Sequence, residues 1–402
     1  MGRWVKPEVF PLLAPITFVV GLCGFQLARN LLTNPEVRVN KAHRTTAVLE
    51  NQKEGEKYAE HSFRQFLRTR RPECSSSSSS SDEGCGEGLY CLSCTVGLSG
   101  RRCVRSSATH IFNLLNNSLP FNKYAFLTTH NAFSINGDPP SHTGVPNIVP
   151  RNQEDDVAHQ LNNGVRGLML DVYDYKGDVW LCHSFGGHCH DYTAFGPALD
   201  TLKQIEAFLS ANPSEIITII LEDYVRAPSG LTKVFTDAGL MKYWFPVSSM
   251  PRGGGDWPPV RDMVAKNHRL LVFTSVRAKE QSEGIAYQWN YMVENQYGDG
   301  GMKSGECPSR GESSPLNDTT KSLVLMNFFG SAPFEPAACL QNSGPLMDML
   351  DTCHAAAANR WPNFLAVDFY KRSEGGGAFQ AVDKLNGELL CGKDDVNSCV
   401  RL

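Results

Sequence analysis

A chain of 402 residues, 41% of them hydrophobic and 20% charged, can bury one large core or two modest ones and is not composed like a disordered polymer. Its net charge of -4 is small, and its Lys and Arg are scattered rather than gathered into a stripe, which excludes the electrostatic footprint of a nucleic-acid binder. Twelve of the thirteen cysteines lie from Cys74 onward, an even set that points to an oxidising compartment for that part of the chain.

The first predicted element is apolar. No charged residue falls between Glu8 and Arg29, and residues 9–28 are long enough to cross a bilayer as a helix. The run exceeds the roughly 7–15 residues of a signal-peptide core and no small-x-small cleavage site precedes Arg29, so a membrane span is the better reading. Arg29, Arg38, Lys41 and Arg44 follow the run while only Arg3 and Lys6 precede it, which favours keeping the C-terminal side inside. That orientation conflicts with the cysteines, and a join of two unrelated segments reconciles them. The segments MGRWVKPEVFPLL and NKAHRTTAVLENQKEGEKYAEHSFRQFLRTR resemble a small plant accessory subunit of mitochondrial respiratory complex I, over residues 1–72. The resemblance implies an inner-membrane anchor with a charged helical tail. On this reading residues 74–402 have lost their own signal peptide, and their extracellular or secretory localisation is inferred from the cysteines.

Residues 73–110 form the next unit. Cys74, Cys85, Cys91, Cys94 and Cys103 crowd a stretch rich in Gly and Ser, with a low-complexity serine run at 75–81, and read as a small disulfide-stapled module. Five is odd, so at least one cysteine pairs outside the stretch, with Cys307 as a candidate. A zinc site at Cys91 and Cys94 needs a second pair of similar spacing, and none follows. Asn116 and Asn317 begin glycosylation sequons.

From residue 111 to the end, short runs rich in β-branched and aromatic residues alternate with helix-compatible stretches, the pattern of parallel strands joined by crossover helices. Strands are expected at 125–129, 167–172, 179–181, 216–221, 270–274, 323–328 and 364–367, with a weaker one near 242–245. Helices are expected at 200–211, 260–267, 345–360 and 378–385. About eight strands in under 300 residues suit a closed α/β barrel, a (β/α)8 TIM-type fold. The competing open doubly wound sheet lacks its glycine-rich dinucleotide fingerprint.

Catalytic groups of such barrels sit where strands end at the C-terminal face, so the informative residues are those that terminate each apolar run. They are His130 and Asn131, Asp171, His183, Glu222 and Asp223, Asn327, and Asp368. Two histidines suit phosphodiester transfer, one taking a proton from the attacking hydroxyl and the other protonating the departing oxygen. Asp368 is the candidate to hold the ring of His130. Any one histidine alone is as readily structural. Asn131, Asp171 and Glu222 offer only oxygen ligands, which suits Ca²⁺ or Mg²⁺, while the two acids could instead pair with Arg166 or Lys371. Cys182, His183, His188, Cys189 and His190 could suggest zinc, but a Cys182–Cys189 disulfide stiffening the His183 segment is preferred. Lys371, Arg372 and the glycines 375–377 precede a helix and could hold a phosphate; the alternative is a plain glycine loop.

The stretches LTTHNAFS, NNGVRGLMLDVYD, VWLCHSFGG, EIITIILEDY and NFLAVDFYKRSEGGGAF resemble the catalytic X-region barrel of phosphatidylinositol-specific phospholipase C, and more narrowly the plant secreted proteins that carry that domain alone. The resemblance covers residues 74–402. It implies that His130 activates the inositol 2-hydroxyl, that His183 protonates the diacylglycerol oxygen, that Asp368 partners the first histidine, and that Asn131, Asp171 and Glu222 belong to a metal set. Met169 stands where the remaining acid belongs, and Tyr173 stands where the metal-free bacterial enzymes carry an Arg. Arg166, Lys371, Arg372 and Tyr173 complete the expected phosphate-binding set. Expected partners are a phospholipid or phosphodiester substrate at a membrane surface, with the chain a monomer. Two readings compete with the enzyme: a catalytically weak barrel that binds a phosphorylated headgroup or wall component, and a respiratory-complex subunit carrying a passenger. The C-terminus, CGKDDVNSCVRL, lacks the hydrophobic tail of a lipid-anchor signal.

Overall fold

The computed structural model describes residue 85 and residues 88–94, 101–113, 117–137 and 142–401. The expected span at 9–28, the whole of 1–72, the serine run and Asn116 lie outside the described residues. Among the described residues no helix is long and apolar enough to cross a membrane.

The cysteine-rich stretch contributes a hairpin, β1 (Leu89–Ser93) and β2 (Arg101–Arg105), paired antiparallel. Cys85 bonds Cys103, and Cys94 bonds Cys339, so the outside partner is Cys339 and not Cys307, which bonds Cys353. Cys91 is disulfide-bonded as well, which removes the zinc alternative. Leu92, Val104 and Cys339 are buried together, and Tyr90 donates to the carbonyl of Lys371 at 2.6 Å, so the module is seated on the main domain.

The main sheet takes its strands in the order β3 (Phe126–Thr129), β4 (Gly167–Tyr175), β5 (Asp178–Cys182), β6 (Ala194–Pro197), β7 (Ile217–Tyr224), β8 (Leu270–Thr274), β9 (Ala286–Tyr287), β10 (Met292–Glu294), β11 (Leu323–Phe328) and β12 (Phe364–Val367). Eight of them form one parallel ladder, β10-β11-β12-β3-β4-β7-β8-β9, and among the described residues no pairing joins β9 to β10. The expected closed barrel is therefore a parallel sheet curled into a barrel with one open seam. The third expected strand is not a barrel strand. β5 pairs antiparallel with β4 and continues into β6 off the main path. Lys176 and Gly177 make this turn possible, both with positive φ (51° and 78°), as a two-residue hairpin loop matching the strand twist requires. The weak strand near 242–245 begins as a 3-10 turn, Leu240–Tyr243, and is reduced to a single parallel bridge of Trp244 to Leu270, with Phe245 N–H donating to the Leu270 carbonyl at 2.8 Å.

Alternation along the strands builds two apolar layers. Leu127, Leu168, Leu170, Ile217, Ile219, Val272 and Leu365 point outward to the crossover helices, among them Ala198–Ala211, Gly344–Ala356 and Gly377–Cys391. Phe126, Ile220, Leu271, Phe273, Met292, Leu325 and Phe364 point inward. Close strand approach at β3–β4 requires Gly167, since a Cβ there would lie 2.3 Å from Thr128 Oγ1. Phe121, Phe245 and Trp257 pack together at the N-terminal end of the interior, with Phe121 stacked on Phe126 at 4.8 Å and tilted against Trp257 at 5.6 Å between ring centroids. The largest of these side chains each bury on the order of 150–250 Å², roughly 4–6 kcal/mol of transfer free energy, so the closed end is where the interior is most strongly held.

Candidate functional site

The same two-residue period that fills the interior sets its top rung. Counting from the inward residues of each strand, the last inward positions are His130, Asp171, Glu222, Ser275, Glu294, Asn327 and Asp368. A ring of polar groups therefore closes the apolar interior at the C-terminal end. Above it is a cavity of about 220 Å³, whose walls include His130, Met169, Asp171, His183, Glu222, Glu294, Arg310 and Asn327. That volume is below the roughly 300–1,000 Å³ of drug-sized pockets and suits a small polar ligand.

His130 follows β3, and its Nδ1 stands 2.9 Å from Oδ1 of Asp368, which follows β12. Asn152 donates through Nδ2 to the same Oδ1 at 2.9 Å. Gln153 donates to the carbonyls of His130 and Val367 at 2.7 and 3.0 Å, fixing the two strand ends to each other. The ring of Phe329 stacks on His130 at 3.6 Å and 5°. With Nδ1 and one ring face occupied, Nε2 is the nitrogen left for the cavity.

His183 arrives by a different route. The register Val172↔Leu181 brings the returning strand β5 down past the end of the barrel, so the residue after Cys182 lies level with the Leu170–Asp171 step. The expected Cys182–Cys189 disulfide closes the loop that follows. Burial lowers the His183 pKa, and so does the proximity of His130, while Glu222 and Asp368 raise it. Asp171 and Glu222 are register partners on β4 and β7. Burial pushes the Asp171 carboxyl well above the usual carboxylate range, Glu222 adds to this, and Arg310 opposes it.

Several expected residues are elsewhere. Arg166 precedes β4 and so lies at the opposite end of the barrel, where it pairs with Glu215 at 2.7 Å and donates to the carbonyls of Leu161 and Val165. Lys371 pairs with Asp155 at 3.0 Å, and Arg372 with Glu335 at 2.8 Å; neither these two nor glycines 375–377 are among the cavity walls. Pairing of Asp171 and Glu222 with Arg166 or Lys371 is thereby excluded. Tyr173 is buried, stacked on Tyr224 at 4.4 Å, and donates to the carbonyl of Ser184 at 3.3 Å. Asn131 and Asp223 are one residue out of phase with the inward rung. Asn131 is buried with φ 43° and its Oδ1 unpartnered, outside the walls, and Asp223 bonds Lys279 at 2.9 Å. The oxygen set expected for an ion is thus incomplete: Met169 occupies the wall, and among the described residues no three His, Cys, Asp or Glu gather closely enough to hold a metal.

Glu294 and Arg310 escape the sequence reading. Glu294 ends a three-residue strand too short to register as an apolar run, although the rule of the terminating polar residue would have found it. Arg310 sits in a loop that carries no periodic signal.

A family model described as PI-PLC X 1 matches residues 123–386, and one described as the NADH-ubiquinone reductase complex 1 MLRQ subunit matches residues 4–58. A PI-PLC X domain-containing protein of Arabidopsis thaliana is 57% identical over 323 residues, covering 80% of this chain and 75% of its own. An uncharacterized secreted protein of Arthroderma benhamiae is 26% identical over 269 residues, covering 62% of this chain and 59% of its own. The phosphatidylinositol-specific phospholipase C of Listeria monocytogenes superposes at TM-score 0.44 and 15% identity, covering 69% of this chain and 97% of its own. With more than half of its length, residues 123–386, inside one family model and a relative that is 57% identical, the chain belongs to the PI-PLC X domain family.

Proposed function

We propose that the cavity cleaves a phosphodiester of a phosphorylated polyol headgroup, an inositol phospholipid or a glycosylphosphatidylinositol, by acid–base catalysis. The observation that carries this reading is that His130 and His183, 53 positions apart in sequence and delivered by unrelated turns, line one cavity sized for a headgroup. His130 is the base: Asp368 holds its Nδ1, and a proton taken by Nε2 from the attacking hydroxyl leaves an imidazolium beside a carboxylate. His183 is the acid: it protonates the departing oxygen, breaking the P–O bond as the new one forms. Phe329 restricts the His130 ring and the Cys182–Cys189 bridge restricts the other segment, which favours a fixed attack geometry.

The five disulfides among the described residues favour a secreted or secretory-lumen product whose substrate lies at a membrane surface. Turnover of a chromogenic inositol phosphodiester by the full chain tests the chemistry, with His130→Ala expected to lower kcat by at least ~100-fold. No rate above background, or an unchanged rate in the variant, would leave a headgroup-binding barrel as the reading.

A further inference from the structure

The proton transfers just described leave one charged side chain of the cavity without a task. Among the described residues, Arg310 is the single Lys or Arg in the cavity walls, and it comes from the loop after β10 rather than from a strand end. Its backbone N–H donates to the carbonyl of Glu294 at 2.9 Å, and Cys307, three residues earlier, is bonded to Cys353.

Its guanidinium is held on two sides. Nη1 meets Oε1 of Glu294 at 3.1 Å, and Nε meets Glu312 at 3.0 Å. Glu294 is itself held in place: it is fully buried and also accepts from Gln288, Trp289 and Asn327 at 2.8–2.9 Å. The rings of Trp289 and Tyr297 flank the guanidinium at 5.3 and 4.8 Å. Nη2 has no hydrogen bond to the described residues, and it is the nitrogen left to face an anion. Burial opposes the charge, but Glu294 and Glu312 more than offset this, so the group stays cationic.

Resting on the phosphodiester reading above, we propose that Arg310 clamps the phosphate of the substrate and supplies the positive charge that a divalent ion would otherwise provide. The walls support this substitution. Met169 leaves the oxygen set one acid short, and the guanidinium acts electrostatically on Asp171, one of the two acids that remain. A planar, permanently charged fork with two of its nitrogens fixed offers the third to a phosphate oxygen without reorganisation. The site is thereby specific for an anionic phosphoryl group and indifferent to Ca²⁺.

The test is calorimetric binding of myo-inositol 1-phosphate to the full chain in EDTA and again in millimolar Ca²⁺. The expected result is binding in EDTA that Ca²⁺ does not tighten, weakened about 10-fold in Arg310→Lys and about 100-fold in Arg310→Gln. No binding by the parent protein, binding that appears only with Ca²⁺, or an Arg310→Gln affinity within twofold of the parent would overturn the proposal. Loss of one donor to buried Glu294 could unfold Arg310→Gln, which thermal melting would reveal; the Lys variant and the Ca²⁺ arm then decide. A chain that binds through Arg310 yet turns over no diester refutes the hydrolytic reading alone. One that turns over diester unchanged in Arg310→Gln refutes the clamp alone.

Discussion

Replacing Asp368 by Asn separates the charge beside His130 from the geometry around it. Asp368 presents Oδ1 to His130 Nδ1 and to Asn152 Nδ2, both at 2.9 Å, and its Oδ2 is buried without a partner. An amide can keep its oxygen in the Oδ1 position and place its nitrogen where Oδ2 was, so both contacts survive and only the negative charge is lost. The side chains are 19% and 5% exposed, so water screens the pair little. A hydrogen bond involving a charged group contributes about 1.5–3 kcal/mol, and that contribution is greatest once His130 has taken a proton. At about 1.4 kcal/mol per factor of ten, Asp368→Asn is expected to lower kcat roughly 10- to 150-fold with KM nearly unchanged. Asp368→Ala also removes the acceptor of Asn152, adding about 1 kcal/mol, or roughly a further fivefold. Both follow from initial rates on a chromogenic inositol phosphodiester, with melting curves to confirm folding. An Asp368→Asn enzyme retaining a third of parental kcat, or one whose defect lies wholly in KM, would refute the assignment of Asp368 to the base.

Burial and His130 hold the pKa of His183 below its ordinary 6.5 while Glu222 pulls it up, and a general acid must be protonated, so kcat/KM is expected to fall as pH rises through a point below 6.5. Glu222→Gln should move that alkaline limb further toward acid; a limb that stays in place or moves the other way contradicts the coupling. Away from the cavity, burial pushes the Glu154 carboxyl up to about 7 from 4.5, against the pull of Arg372, and its Oε2 has no partner. The folded state keeps this proton to higher pH than the unfolded chain, so its contribution is complete below about 4.5 and is lost as pH rises to 7, by roughly 3 kcal/mol in all. Glu154→Gln should flatten the decline in denaturant midpoint between pH 4.5 and 7.5, and an unchanged slope would show that another group is responsible.

Most of the parallel strands were legible because burial on both faces writes itself as continuous apolar sequence. The strands Leu270–Thr274, Leu323–Phe328 and Phe364–Val367 have the bounds read from sequence. The pieces that were missed are short, like Ala286–Tyr287, or misassigned, like the antiparallel β5, whose apolar run resembles a barrel strand although the Lys176-Gly177 turn reverses the chain. Polar residues that end long strands announced themselves as His130, Asp171, Glu222 and Asp368. Cationic residues had no such rule to identify them: Arg166, Lys371 and Arg372 carried the right charge but met carboxylates of their own, and loop contacts decided that outcome.

The rung of inward residues also shows why a cation had to come from outside the strands. Asp171 and Glu222 face each other across β4 and β7, and Glu294 is three strand positions beyond Glu222, past β8, β9 and the open seam, so the strand ends bring several carboxylates to the cavity proposed to take a phosphate. Burial relieves part of this by favouring the protonated Asp171, and Glu294 is committed to four donors. One of those donors is Arg310, so the same carboxylate that would repel a phosphate anchors the group that attracts it. Removing Glu294 should therefore weaken phosphate binding rather than strengthen it, the reverse of what simple charge counting at the rim would give.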